Sequence, residues 1–593
     1  MASESSKADV RAEFQQLDKR SNLLRLASMM RPYSRKMLMA MLFVIIINVC
    51  ELLKPLAAKI VIDDFVHGGK VQHGLYSIAG LGIAYFLLSA LDSVCKIVQT
   101  RTISKVSQSI LHTMREKVFR QIQSLPVNTL DKYGTGRLIT RSTNDVETIN
   151  EFYQDVFLNL FRDVFLLIGI IITMLMLDVK LALISFIAIP LIAGITFSIK
   201  KIIKENFKFI KLVTGKINGF ISENLMGIRI IRAFNAEKVK IAEFSELNRQ
   251  YFKGTMTQVF LNTILRPSME LINTLIIALL VAFSYNRIAG GLLEVGVLYA
   301  FTNYVKQFFN PINDLAEKYT TVQSAFVSCD RIYELLDEEP EDRDGGYSGD
   351  VAGDIEFRDV WFAYTDDNWV LKGVSFKLPK GTKAAFVGAT GAGKSTIINL
   401  ITRNYEIQSG EILVDGRNVK EWNLQKLRSG VAVVLQDVFL FTGTIRENIA
   451  MGEPLSDTEL KHALELSDAW DFLDSSIPER ASGLESAVSE QGLNFSTGER
   501  QLLSFARAIA SDPGVLILDE ATAHIDTETE QRVQRAIESV SKGRTSIFIA
   551  HRLSTIRNSD IIYYLENGQI AESGSHEQLM SQKGKYAALV ESA

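Results

Sequence analysis

Six stretches of the chain are apolar over nearly the length a membrane-crossing helix needs, about 20 residues for a hydrocarbon core roughly 30 Å thick. They begin near MLMAMLFVIIINVCELL (37–53), LYSIAGLGIAYFLLSALDSV (75–94), VFLNLFRDVFLLIGIIITMLML (156–177), LALISFIAIPLIAGITFSI (181–199), LINTLIIALLVAFSY (271–285) and VGVLYAFTNYVKQFF (295–309). The last is the least apolar. Their connections alternate: DVK joins the third to the fourth and NRIAGGLLE the fifth to the sixth, whereas long, charged, helix-patterned segments follow the second and the fourth. Lys and Arg gather in those long segments, as in KVSQSILHTMREKVFRQ and KKIIKENFKFIKL. The excess of positive charge places both long segments and both termini in the cytoplasm. Helices that continue so far past the membrane predict a cytoplasmic stalk.

Polar residues interrupt two of the spans. Arg162 and Asp163 fall in the third, and Arg266 and Glu270, spaced i,i+4, open the fifth. A charge in lipid costs several kcal/mol, about 3 on the insertion scale, unless it faces a cavity or a partner. Two readings stay open, a structural ion pair within or between helices and a surface that faces a transported molecule.

The pattern changes near residue 335. LLDEEPEDRDGGYSGDVAGD (335–354) is acidic, contains glycines and is poor in apolar residues, which reads as a linker. Beyond it, short apolar strands alternate with amphipathic helices. The predicted organisation is an N-terminal cytoplasmic segment (1–36), an all-α six-helix transmembrane domain with two long cytoplasmic loops (37–325), a linker (326–352) and an α/β P-loop domain (353–593). With 593 residues and a net charge of −4, composition favours no particular partner, and nucleic acid is not indicated. Cys50, Cys95 and Cys329 are too scattered for a metal site or a disulfide framework. The polar start MASESSKADVRAEFQQLDKR lacks the basic start and apolar middle of a secretory signal.

Chemistry concentrates in the C-terminal domain. In GTKAAFVGATGAGKSTIINLITRNY an apolar strand ends in a Gly-rich turn and opens into a helix, which is the P-loop pattern in the context that confirms it. Gly388, Thr390, Gly391 and Gly393 let backbone amides wrap ATP phosphates, Lys394 reaches the β and γ oxygens, Ser395 can hold Mg²⁺, and Thr396 follows at the helix start. A second apolar strand in PGVLILDEATAHID ends at Asp519, placed to hold Mg²⁺ directly or through water. Glu520 beside it is the candidate general base for water attacking the γ-phosphate.

With these motifs in this order, the chain resembles the exporter-type half-transporters of the ABC family over essentially its whole length. The resemblance implies further roles. Tyr364 matches the aromatic that stacks on adenine, Gln436 the glutamine that senses Mg²⁺ and the attacking water, and His551 the switch histidine at the γ-phosphate. SEQGLNFSTGERQ matches the coupling loop and signature, with Ser496 and Gly498 facing a nucleotide, and AHID matches the D-loop through Asp526. LDKYGTGRLITRSTNDVETI (130–149) and ENLMGIRIIRAFNAE (223–237) look like the two intracellular loops that carry coupling helices.

The signature departs from the family's Leu-Ser-Gly-Gly-Gln. Here the positions are Phe495, Ser496, Thr497, Gly498 and Glu499. Thr497 puts a β-branched side chain where glycine is usual. Glu499 either opposes the phosphates, at about 1–4 kcal/mol for charges about 4 Å apart, or closes a Ser-x-x-Glu capping box with Ser496 and turns away. The coupling loop reads Ser489-Glu490-Gln491-Gly492 for the usual Gly-Glu-Arg-Gly, and the D-loop Ala523-His524-Ile525 for Ser-Ala-Leu. The chain's own Lys394, Asp519, Glu520 and His551 are intact. The resemblance therefore implies an ATP-driven exporter of amphipathic compounds, working as the hydrolysis-competent half of a heterodimer whose partner has an ordinary signature and a degenerate Walker B. A homodimeric lipid or peptide exporter, or a non-pumping gated channel on the same fold, are the alternatives.

Overall fold

A computed structural model describes residues 19–67, 78–343, 345–365, 368–473, 482–519, 527–549 and 556–592. The chain forms two compact units, one of Met1–Gln121 and Gly136–Asp337, the other of Ile122–Thr135 and Glu338–Ala593. Sequence order alone would not have put residues 122–135 with the C-terminal half.

The long helices are α1 (Ser34–Ile60), α2 (Ile78–Ser124), α4 (Leu158–Leu177), α5 (Ala188–Met226), α6 (Glu237–Ala289) and α7 (Val295–Leu336), with the short α3 (Val127–Tyr133) after α2. The described parts of all six apolar stretches are almost wholly helical. Among the described residues, four helical segments are long and apolar enough to cross a membrane: Leu24–Asp64, Ile78–Ser124, Thr135–Leu177 and Glu270–Ala289. The fourth stretch is broken at Ile187, between a helix Val179–Phe186 and α5.

Packing on these helices is one-sided. On α4, Leu166, Ile170 and Met174 recur at helical spacing and share a core with Ile272, Ile276 and Leu280 of α6 and Phe301, Tyr304 and Val305 of α7. The same helix leaves Ile168, Ile172 and Met176 exposed. A helix apolar all round that packs along only one stripe has lipid as the solvent for its other faces. This is a helical transmembrane domain.

Arg162 and Asp163 do not pair with each other. Arg162 reaches Glu51 of α1 at 3.2 Å, and Asp163, buried, accepts from Lys318 of α7 at 2.6 Å. Lys54 holds Asp92 at 2.6 Å, and Lys96 bridges Glu51 and Asp92 at 2.9 and 3.1 Å. Ion pairing between helices thus accounts for the charges of the third span. At the opposite end of α4, Asp178 caps the next helix through Leu181 N and takes both nitrogens of Arg287. Glu270 is exposed, and the side chain of Arg266 lies outside what the structure describes.

The second unit carries two main sheets. Its strands are β1 (Ile355–Ala363), β2 (Trp369–Leu378), β3 (Lys383–Gly388), β4 (Ser409–Val414), β5 (Arg417–Asn418), β6 (Val431–Val434), the short pair β7 (Gly443–Thr444) and β8 (Ala487–Val488), β9 (Val515–Asp519), β10 (Thr545–Ile549), β11 (Ile561–Glu566) and β12 (Gln569–Gly574). Its main helices are α8 (Lys394–Ile401), α9 (Ile445–Ala450), α10 (Thr497–Ile509) and α11 (Thr527–Val540). One sheet runs β2-β1-β4-β5 and is antiparallel; the other runs β12-β11-β3-β10-β9-β6, parallel except for β12. β9 and β10 are buried almost throughout, as parallel strands covered on both faces must be. One core joins Phe357, Phe376 and Phe386 to Ile397, Ile398 and Ile401 of α8; the other holds Ile445, Leu502, Phe505 and Val533 of α9, α10 and α11.

The segment expected to be a linker is structured at both ends. α7 continues unbroken to Leu336. Farther on, Glu341 takes Arg428 bidentately at 2.8 Å, Tyr347 exchanges backbone bonds with Glu421 and Asn423, and Asp415 accepts from the amides of Ala352, Gly353 and Asp354. Composition suggested a free tether because its acids are countable in sequence, whereas a partner such as Arg428, 87 residues from Glu341, is not.

Candidate nucleotide site

The P-loop lies between β3 and α8, and its backbone explains its glycines. Gly388, Gly391 and Gly393 have φ of 147°, 83° and 105°, the region that favours glycine. A Cβ on Gly388 would stand 2.2 Å from the Leu565 carbonyl oxygen, so β11 leaves no room for one. Thr390 lies in the turn between these glycines. Lys394 is buried, and its Nζ donates to the carbonyls of Gly388 at 2.7 Å and Ala389 at 3.1 Å, spanning the loop it follows. α8 starts without a side-chain cap, which leaves its first amides to the loop side.

Ser395 Oγ and Asp519 Oδ2 lie 3.5 Å apart. β3 and β9 both flank β10, so residues 124 positions apart meet at neighbouring strand ends. Two hard oxygen donors at that separation fit a Mg²⁺ ion that takes its other ligands from phosphate and water. Among the described residues no cluster of three or more His, Cys, Asp or Glu could hold a metal by itself.

Tyr364, just past β1, is 46% exposed, which leaves an aromatic surface for a base to stack on. Its hydroxyl shares a hydrogen bond with Thr396 Oγ1 at 3.2 Å, and Asn399 Nδ2 donates to it at 3.4 Å. The ring is thus tied to the P-loop helix.

Two family models match the chain, the ABC transporter transmembrane region over residues 37–312 and the ABC transporter over residues 371–523. The ABC transporter ATP-binding protein exp8 of Streptococcus pneumoniae is 38% identical over 95% of this chain and 96% of its own length. The probable multidrug resistance ABC transporter ATP-binding/permease protein YheH of Bacillus subtilis is 39% identical over 81% of this chain and 72% of its own. A bacterial Atm1-family ABC exporter solved with ATP bound superposes with a TM-score of 0.75 at 28% identity, over 94% of this chain and 98% of that one.

The chain is an ABC exporter. Its transmembrane and ATP-binding domains are fused in one polypeptide, and the second is an ATPase coupled to export.

Ser496 caps α10, whose side chains belong to the core that does not include α8. The capping box is complete: Glu499 N donates to Ser496 Oγ at 3.2 Å and Ser496 N to Glu499 Oε2 at 2.7 Å. Of the two readings for Glu499, the structure has the one that turns it back onto the cap. Thr497 opens α10 as its first residue and Gly498 is buried behind it, so the threonine occupies no glycine-only conformation. The left-handed residues nearby are Gln491 and Gly492, at φ of 56° and 68°.

Gln436 is exposed two residues beyond β6, where Val434 is in register with Leu518 next to Asp519. Glu520, His551, Asp526 and the D-loop residues Ala523, His524 and Ile525 lie outside the described residues. The last described residues of β9 and β10, Asp519 and Ile549, are in register.

Sequence reasoning missed Arg507. It lies in α10, and its guanidinium donates to the carbonyl of Phe439 at 3.0 Å and to the carbonyl and side chain of Asn448 at 2.7 and 3.1 Å. It therefore fastens the signature helix to the segment that follows Gln436. Burial lowers its pKa from the usual arginine value. An arginine in the otherwise apolar run FARAI was the available signal.

Proposed function

We propose that this exporter moves amphipathic compounds out across the cytoplasmic membrane as the hydrolysis-competent half of a heterodimer. The multidrug name of the relative YheH supports the cargo class. The division of labour rests on one observation: unaltered P-loop and strand-end residues bring Ser395 Oγ and Asp519 Oδ2 to 3.5 Å, while the signature of the same chain, Phe495 to Glu499, departs from the usual sequence.

In this reading Lys394, Ser395 and Asp519 hold MgATP, Tyr364 stacks on the adenine, Gln436 orients the attacking water, Glu520 takes its proton and His551 contacts the γ-phosphate. Ser496, Gly498 and Asp526 face a nucleotide held by the other half. ATP sandwiched between two ATPase domains closes the pair and turns the membrane cavity outward; hydrolysis resets it. The transmembrane domain is assigned to residues 37–325 and the ATPase domain, on the cytoplasmic side, to 353–593.

The unstrained backbone at Thr497 and the inward turn of Glu499 favour a second reading, a homodimer with two working sites. Activity of the purified chain alone, beside the chain co-expressed with candidate half-transporters, separates the two. Turnover only in a mixed complex supports the heterodimer. Robust turnover by the chain alone overturns it.

A further inference from the structure

The first long helix, α1, has two faces. Met37, Ala40, Val44 and Ile47 are buried, whereas Leu38, Leu42, Ile45 and Val49, recurring three and four residues apart, are exposed. In a transmembrane domain the exposed stripe is the one that lipid tails meet. One interval back from Leu38 stands Arg35, exposed on the same face, with exposed Lys36 beside it. Arg31, exposed as well, opens the 3-10 turn Arg31–Tyr33 that leads into α1.

Among the described residues no carboxylate answers Arg31, Arg35 or Lys36. Lys36 lies 6.0 Å from the centre of the half-buried Tyr33 ring, and the sequence holds no acid between Asp18 and Glu51. Arg25, in the helix Lys19–Met30 before the turn, is committed elsewhere. It pairs with Asp337 at 3.1 Å and lies 4.6 Å over the Tyr333 ring, while the Leu26 carbonyl accepts from the Tyr153 hydroxyl. The preceding helix is therefore fastened to the protein, and the turn after it presents free positive charge at the foot of an apolar stripe. Basic residues just cytoplasmic of a span, with an aromatic between them, stand at head-group level.

We propose that the foot of α1 binds an anionic glycerophospholipid of the cytoplasmic leaflet. Its phosphate oxygens accept from Arg31, Arg35 and Lys36, and its acyl chains lie along Leu38 and Leu42. Consecutive parts of one helix face thus match both parts of the lipid. Charge selects against a zwitterionic lipid, whose ammonium group would meet the same three cations. Each basic residue beside an anionic leaflet contributes about a fivefold gain in affinity, so three give on the order of a hundredfold at most. The proposal needs only the transmembrane domain, whichever partner completes the exporter.

The chain's own tryptophans, Trp361, Trp369, Trp422 and Trp470, all belong to the second unit, so Leu42→Trp reports lipid contact at the foot of α1. The test measures quenching of this fluorescence in the full chain, reconstituted in vesicles where dibrominated phosphatidylglycerol or dibrominated phosphatidylcholine replaces the unlabelled lipid. Phosphatidylglycerol is expected to occupy the site at least about tenfold more tightly. Arg31→Gln, Arg35→Gln and Lys36→Gln made together should abolish the preference. Arg31→Lys with Arg35→Lys should keep most of it, because the charge stays, which separates lost charge from lost fold. A second reporter, Ile172→Trp on the exposed face of α4, should show no preference. Equal quenching by the two lipids at Leu42→Trp, a preference that survives the triple glutamine variant, or the same preference at Ile172→Trp overturns the proposal.

Discussion

Tyr364 and Tyr405 meet edge to face, with ring centroids 5.0 Å apart and planes at 90°. The Tyr405 hydroxyl donates to Asp131 of α3, and the Tyr364 hydroxyl is bonded to Thr396 of α8. An unbroken series of contacts therefore leads from the 122–135 segment to the P-loop helix, through the ring proposed to carry adenine. Burial, with the Asp131 carboxylate, raises the Tyr405 pKa above its ordinary value, so the phenol keeps its proton at physiological pH. Tyr405→Phe should leave ATP affinity within about twofold, because the ring contact survives, yet reduce stimulation of hydrolysis by transported compounds several-fold. Tyr405→Ala should also weaken ATP binding, since such ring pairs contribute about 0.5–1.5 kcal/mol beyond buried area. Titration with a fluorescent ATP analogue and a stimulation assay check both. Undiminished stimulation in Tyr405→Phe would reduce the contact to packing.

Hydrolysis itself is assigned to Glu520. Glu520→Gln should lower turnover by at least about a hundredfold and leave ATP binding intact, the size expected when a positioned base is lost. Lys394→Ala should instead weaken ATP binding, since Lys394 is the cation closing the loop. Single-turnover hydrolysis beside equilibrium binding distinguishes the two defects. Near-normal turnover in Glu520→Gln would remove the assignment.

The P-loop was legible because its information is consecutive: strand, glycines with left-handed backbone, lysine, helix. The pairing of Ser395 with Asp519 was legible as a motif, although only the parallel order β3-β10-β9 explains why the two meet. Tyr405 and Arg507 were not legible, because each acts through a partner far off in sequence and neither belongs to a motif. The acidic segment before β1 misled for the same reason, its charges being answered by Arg428 across the fold. Arg162 and Asp163 were flagged correctly as special, but their neighbours on α1 and α7 decide what they do.

Cys329 is fully buried on α7, beyond the last apolar stretch, and burial pushes its thiol up to about 12. The thiolate is the reactive form, and an exposed cysteine titrates near about 8.5. A raised pKa keeps Cys329 protonated until the pH approaches that value. In a Cys50→Ala, Cys95→Ala background, maleimide at pH 8 should label it at least about a hundredfold more slowly than a free thiol, and rapidly once the chain is denatured. Fast labelling of the native protein would mean that this end of α7 opens readily.

The box at the start of α10 makes a prediction about the altered signature. Glu499 accepts from the Ser496 amide, a bond glutamine can also accept, so Glu499→Gln should shift stability by no more than about 0.5 kcal/mol. Ser496→Ala removes the cap and should cost about 1 kcal/mol. Ser496→Ala combined with Glu499→Ala should cost less than the sum of those two changes made singly, since the box works as one unit. If Glu499 instead faced phosphate, Glu499→Gln would raise hydrolysis in the assembled exporter several-fold with no change in melting temperature. Thermal unfolding and turnover measured on the same variants separate these outcomes, because a capping carboxylate moves the first and a phosphate-facing one moves the second.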